Sequence, residues 1–120
     1  MKTLLVDFDG TLHTYSGWKG PDILDGPLEG ARAAMYLLAK EYQLVCFTTR
    51  PSEIVEGWLR KWGFPTMRVT NIKLPAHLIV DDRALRFERW TDDFINQIRH
   101  ARPHWEGLDE DPDAPQPGSI

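Results

Sequence analysis

The chain has 120 residues, 42% of them hydrophobic, enough for one domain around one core and not for two. Its net charge is −4, but residues 106–120 hold five acids and no Lys or Arg. The remaining body, with 13 acids against 14 bases, lacks the strong basic field of a nucleic-acid groove. The single Cys46 excludes an intramolecular disulfide, and no apolar run approaches the roughly 18 residues that span a bilayer. Only a few apolar residues precede Asp7, so no signal peptide is expected; the composition predicts a soluble, cytoplasmic protein with Cys46 as a buried thiol.

In chain order, Thr3–Phe8 reads as a buried strand. The segment Leu12–Asp25, rich in Gly and Pro and carrying Tyr15 and Trp18, reads as an irregular loop or small flap. Pro27–Tyr42 is predicted as a helix, with Pro27 in its first turn and Leu28, Ala31, Met35 and Leu38 on one face. Gln43–Phe47 is a second buried strand. A second helix starts at Pro51, buries Ile54, Val55, Trp58, Leu59 and Trp62, and stops at Gly63. Met67–Thr70 reads as a short strand and His77–Val80 as another buried one. Thr91 caps a last helix that opens with Asp92 and Asp93 and runs to about Ala101. Residues 106–120 read as a disordered acidic tail, leaving residues 1–105 as the folded domain. Strand alternating with helix predicts an α/β fold, an open parallel sheet covered on both faces, in which ligands bind beyond the carboxyl ends of the strands.

The polar residues of interest all fall at such ends. Asp7 and Asp9 close the first strand in Val6-Asp7-Phe8-Asp9-Gly10-Thr11-Leu12. Positions i and i+2 of a strand share a face, so the two carboxylates are expected to converge and to need a cation between them. Gly10 lets the backbone turn sharply out of the strand. Thr48, Thr49 and Arg50 end the second strand. Asp81 and Asp82 end the later one, and Lys73 lies just before it. Asp7, ionised at neutral pH, needs no activating base to act as a nucleophile. Arg50 is either a clamp for substrate phosphate or a cap for the next helix, and Arg83 is structural. Trp58 and Trp62 are core residues; Tyr15 and Trp18 either stack on a substrate or fold the flap down. His13 and His77 carry no evident chemistry.

The order carboxylate pair, hydroxyl, lysine, carboxylate pair resembles the four motifs of the haloacid dehalogenase superfamily of phosphatases, over roughly residues 3–95. The segments Asn71-Ile72-Lys73-Leu74-Pro75-Ala76 and Val80-Asp81-Asp82-Arg83-Ala84 look like a small capless subgroup of bacterial and phage proteins. The resemblance implies a three-layer α/β/α Rossmann-like fold and an aspartyl-phosphate mechanism. In it Asp7 is the nucleophile and Asp9 the general acid and then base. Thr48 or Thr49 and Lys73 hold the phosphate, and Mg²⁺ is bound by Asp7, the backbone carbonyl of Asp9, and Asp81 or Asp82.

The intervals from Asp9 to Thr48 and from Thr48 to Lys73 are filled by the predicted flap, helices and short strand, which leaves no room for a cap domain of about 50 residues. An open site suits a bulky phosphorylated substrate unless the flap or a partner covers it. An arginine after the second motif, as Arg50 is here, also occurs in capless polynucleotide phosphatases, which makes nucleic-acid ends the alternative substrate. A catalytically idle relative that binds a phosphorylated ligand or partner is the non-enzyme alternative. A signalling receiver domain has similar parts in a different order, its acidic pair coming first.

Overall fold

The computed structural model describes residues 1–102; the expected domain boundary at 105 and the acidic tail lie outside them. The first strand, β1 (Lys2–Asp7), is followed by the flap and by α1 (Ala31–Leu38). Then come β2 (Tyr42–Phe47), α2 (Ser52–Lys61), β3 (Arg68–Thr70), β4 (Leu78–Val80) and α3 (Asp92–His100). The architecture is α/β, a Rossmann-like sheet flanked by helices. Among the described residues the sheet strands all pair in parallel, in the order β3-β2-β1-β4.

Strand β1 is the apolar run Leu4-Leu5-Val6 because it lies between two neighbours and is buried on both faces. From β1 the chain steps to β2 and β3 on one side and then returns to β4 on the other. The carboxyl ends of β1 and β4 therefore flank the point where the strand order reverses, the crevice in which open α/β sheets bind ligands. Val6 registers with Val80, so Asp7 and Asp81 each follow one residue beyond the last pair.

Both crossovers among β1, β2 and β3 run in the same direction, and right-handed connections put α1 and α2 on one face. The core lies there: Leu4, Val6 and Phe8 meet Leu44 and Cys46, Met35 of α1, and Val55, Trp58 and Leu59 of α2. Trp58 stands edge-on to Phe8 with centroids 5.0 Å apart. Helix α2 ends as the sequence predicts, at Gly63 with φ 72°, a conformation glycine adopts without strain. Thr91 caps α3, its Oγ1 accepting the Phe94 N–H at 3.1 Å.

Two expectations are corrected. Helix α1 starts at Ala31, not Pro27. Pro27 is drawn into an antiparallel bridge with His13, and the Leu28 N–H donates to the Leu12 carbonyl at 2.9 Å, so these residues close the base of the flap instead. The last strand is not buried. Among the described residues β4 pairs only with β1, and Leu78, Ile79 and Val80 are each about half exposed. Helix α3 stands clear of the strands and of α1 and α2, and none of its residues is buried. No helix among the described residues is long and apolar enough to cross a membrane.

Candidate functional site

Asp7, the last residue of β1, is buried; Asp81 and Asp82 follow β4 directly. One carboxylate oxygen from each of the three lies within 4.8 Å of the others. The Arg83 N–H donates to Asp81 Oδ1 at 2.8 Å, a turn that bends the chain back after β4. Asp7 Oδ2 is buried with no hydrogen-bond partner among the described residues. Burial, then the negative charge of Asp81 and the hydrogen bond and charge of Asp82, push the Asp7 carboxyl up to about 8, against the opposing pull of Arg83. Asp7 by itself is thus driven toward its protonated form near neutral pH, contrary to the ionised state its residue type alone suggests. A hard cation among the three carboxylates would restore its charge. Three oxygen donors, one of them buried and unpartnered, fit a divalent ion such as Mg²⁺.

Asp9 has the opposite surroundings. Its carboxylate is not part of that cluster; it accepts from His13 Nδ1 at 2.9 Å and from Arg50 Nε at 3.1 and 3.0 Å. Burial raises the Asp9 carboxyl, but the hydrogen bonds and charges of His13 and Arg50 outweigh it and hold the group below the ordinary carboxylate range. Asp9 lies beyond the end of β1, just before the turn at Gly10 with φ 83°, and its carboxylate joins His13 and Arg50 rather than the group of Asp7, Asp81 and Asp82.

His13 is the functional residue that sequence reasoning missed. It is almost wholly buried and stacks on Phe8, with centroids 5.1 Å apart and rings 6° from parallel. The Asp25 N–H donates to its Nε2 at 2.7 Å, so that nitrogen must be the acceptor and Nδ1 carries the hydrogen given to Asp9. The signal for it is its place, four residues after Asp9 and just beyond the Gly10 turn.

Arg50 is also buried, and its Nε and Nη1 are engaged. Beyond Asp9 it donates from Nη1 to the carbonyls of Gly20 at 2.6 Å and Pro21 at 3.0 Å, and its guanidinium lies 4.6 Å from the Trp18 ring centroid. It ties the flap to Asp9 through Nε and Nη1. The Trp58 indole holds the other end of the flap, donating to the Asp25 carbonyl at 2.8 Å.

Thr48 is buried, its N–H on the Thr70 carbonyl at 2.9 Å and its Oγ1 accepting the Arg50 N–H at 3.1 Å. Its hydroxyl hydrogen can still be donated outward. Thr49 is exposed. Lys73 is exposed as well and joins no ion pair among the described residues. Arg83, expected to be structural, is the cation that acts on Asp7, and it lies 3.9 Å from Asp82 Oδ1. The structure thus gathers Asp7, Asp81 and Asp82 in one group and Asp9, His13 and Arg50 in another, and leaves Thr49 and Lys73 outside both.

No protein-family model matches the chain, and no curated protein does. Among solved structures it is similar to one described as a conserved protein from Bacteroides thetaiotaomicron. The two are 24% identical with a TM-score of 0.57, and the match covers 81% of this chain and 88% of the other. That likeness bears on the fold alone.

Proposed function

We propose that the chain is a Mg²⁺-dependent phosphohydrolase of the haloacid dehalogenase type, without a cap, that works through an aspartyl-phosphate on Asp7. The observation that carries the reading is the buried, unpartnered oxygen of Asp7 grouped with Asp81 and Asp82 at the reversal point of the sheet. Mg²⁺ held by these three residues would supply positive charge that keeps Asp7 ionised and offsets the charge of an incoming phosphate. Asp7 attacks phosphorus, and the leaving oxygen departs on the opposite side. The Thr48 hydroxyl donates to a phosphate oxygen. Lys73 lies in a surface segment and would have to swing inward to do the same; Arg83 is the nearer cation.

Asp9 then takes a proton from the water that hydrolyses the acyl phosphate. The hydrogen bonds from His13 and Arg50 suit this role of base, since they hold Asp9 as a carboxylate. The acid role that the resemblance also assigns to Asp9 is less well served by them. The strand order β3-β2-β1-β4 argues against a signalling receiver, whose order is 2-1-3-4-5. The polynucleotide alternative draws on the open site and on Arg50, and the near-neutral body, without a basic groove, weighs against it. The buried thiol of Cys46, which burial keeps protonated, suits a reducing cytoplasmic compartment.

The test is release of inorganic phosphate from a panel of phosphomonoesters with Mg²⁺. Chelation by EDTA and the substitution Asp7→Asn should each abolish it, with Asp7→Asn still folded by circular dichroism. Full activity in EDTA, or in Asp7→Asn, would overturn the assignment. A folded, metal-binding protein with no turnover would point to the idle, ligand-binding alternative.

A further inference from the structure

We propose that Arg83, set between Asp82 and the flap's Tyr15, grips the phosphoryl group at this centre, in the place that the family resemblance gives to Lys73. The inference rests on the phosphatase reading and names the residue through which the site recognises its anion.

Three observations carry it. The first is position. Arg83 follows Asp82 directly, and its N–H donates to Asp81 Oδ1 at 2.8 Å, so the turn after β4 holds it at the carboxyl end of the sheet. Its Nε lies 3.9 Å from Asp82 Oδ1, and a carboxylate oxygen of Asp82 lies within 4.8 Å of one from Asp7. Two short steps therefore join the guanidinium to the proposed nucleophile.

The second is freedom. Arg50 is buried, with Nε and Nη1 engaged. The Arg83 side chain is 44% exposed, and its 3.9 Å contact with Asp82 is longer than a hydrogen bond. A guanidinium carries five N–H donors in a planar fork, which suits two oxygens of one phosphate. A carboxylate of Asp82 engaged by a divalent ion attracts Arg83 less, which leaves that fork to the incoming anion.

The third is the seat. The guanidinium carbon lies 6.0 Å from the centroid of the Tyr15 ring, and Tyr15 is buried. Attraction to a fixed ring limits how far the cation wanders before it meets a ligand, so less freedom is lost on binding. Lys73 is exposed and joins no ion pair among the described residues. Its ammonium is also a point charge on a flexible stem rather than a fork.

The experiment measures two affinities by calorimetry, for Mg²⁺ alone and for inorganic phosphate with Mg²⁺ present. The proteins are the wild type, Arg83→Ala, Arg83→Lys, Lys73→Ala and Arg86→Ala. The signs separate the roles. Arg83→Ala removes a cation beside the acids, so Mg²⁺ should bind about 2- to 5-fold tighter. Phosphate should bind the same variant at least ~10-fold more weakly, as the loss of charge-assisted hydrogen bonds requires. Arg83→Lys keeps the charge without the fork and should fall between wild type and Arg83→Ala. Lys73→Ala should lose less phosphate affinity than Arg83→Ala. Arg86→Ala, one exposed charge fewer on the same segment, should leave both affinities within ~2-fold. Phosphate binding that is unchanged in Arg83→Ala, or that falls as far in Lys73→Ala, would overturn the assignment. Weaker Mg²⁺ binding in Arg83→Ala would show that the arginine only orders the acidic turn, and would overturn it too, as would a wild type that binds no phosphate. Phosphate held through Arg83 by a protein that hydrolyses no phosphomonoester would keep the assignment while the phosphatase reading falls.

Discussion

Asp7 and Asp9 are the same residue type two positions apart, yet their surroundings drive them in opposite directions. Asp7 is buried beside two other acids and holds its proton to about 8; Asp9 is buried beside His13 and Arg50 and gives its proton up below the ordinary range. This has a measurable consequence for stability. An unfolded Asp7 ionises above its ordinary value of 3.8, while the folded one stays protonated until about 8. Within that window the folded chain holds a proton that the unfolded chain lacks, so stability falls as pH rises. Asp9 contributes stability that is present above 3.8 and lost as pH falls through its lower folded value, so it stays constant across the same window. Without metal, the melting temperature should drop from pH 5 to pH 8 more steeply in the wild type than in Asp7→Asn, and Mg²⁺ should reverse the drop at pH 8. Equal slopes in the two proteins would contradict the pairing of Asp7 with Asp81 and Asp82. The acids themselves were legible in the sequence because each ends an apolar run. His13 was not, because its role depends on Asp25 returning to it through the flap, and no local pattern encodes that return.

Among the elements, α2 connects core to flap. Trp58 packs edge-on against Phe8 and His13 and also donates to the Asp25 carbonyl. Truncating so large a buried ring typically costs about 3–5 kcal/mol. Trp58→Ala should therefore lower stability on that scale in denaturant titration, and it should loosen the flap residue that orients His13. Trp58→Phe should recover much of the packing but not the hydrogen bond. A loss under about 1 kcal/mol for Trp58→Ala would mean that the core does not close on α2 as described. At the apolar positions of α2, Val55, Trp58 and Leu59 are buried as helical spacing predicts, whereas Ile54 is half-buried and Trp62, expected in the core, is exposed where the helix ends. The start of α1 was misread for another reason. Pro27 fits a first helical turn by propensity, but pairing with His13 across the flap base overrides that preference. The exposure of β4 was also hidden: three apolar residues look alike on an edge strand and in a sheet's interior, and only the strand order distinguishes them.

In the molecule as a whole, four strands bring residues far apart in sequence to one end of the sheet, and the strand reversal beside β1 sets Asp7 against Asp81 and Asp82. The alternation of strand and helix gave that architecture away in advance. How the flap engages the site did not follow from it, since Arg50 could be assigned to the flap only once Gly20 and Pro21 were seen to lie against it. The central claim is that a phosphoryl group resides on Asp7 and that Asp9 is the base that releases it. Nitrophenolate leaves without a proton, so Asp9→Asn should still transfer phosphate from para-nitrophenyl phosphate to Asp7 and then stall, because no base activates the water. Rapid-mixing absorbance of this variant with Mg²⁺ should show a burst of nitrophenol approaching one equivalent per site, followed by very slow turnover, with phosphate retained on the protein. Asp7→Asn should show no burst. Ordinary steady turnover in Asp9→Asn, with no burst and no trapped phosphate, would contradict the account.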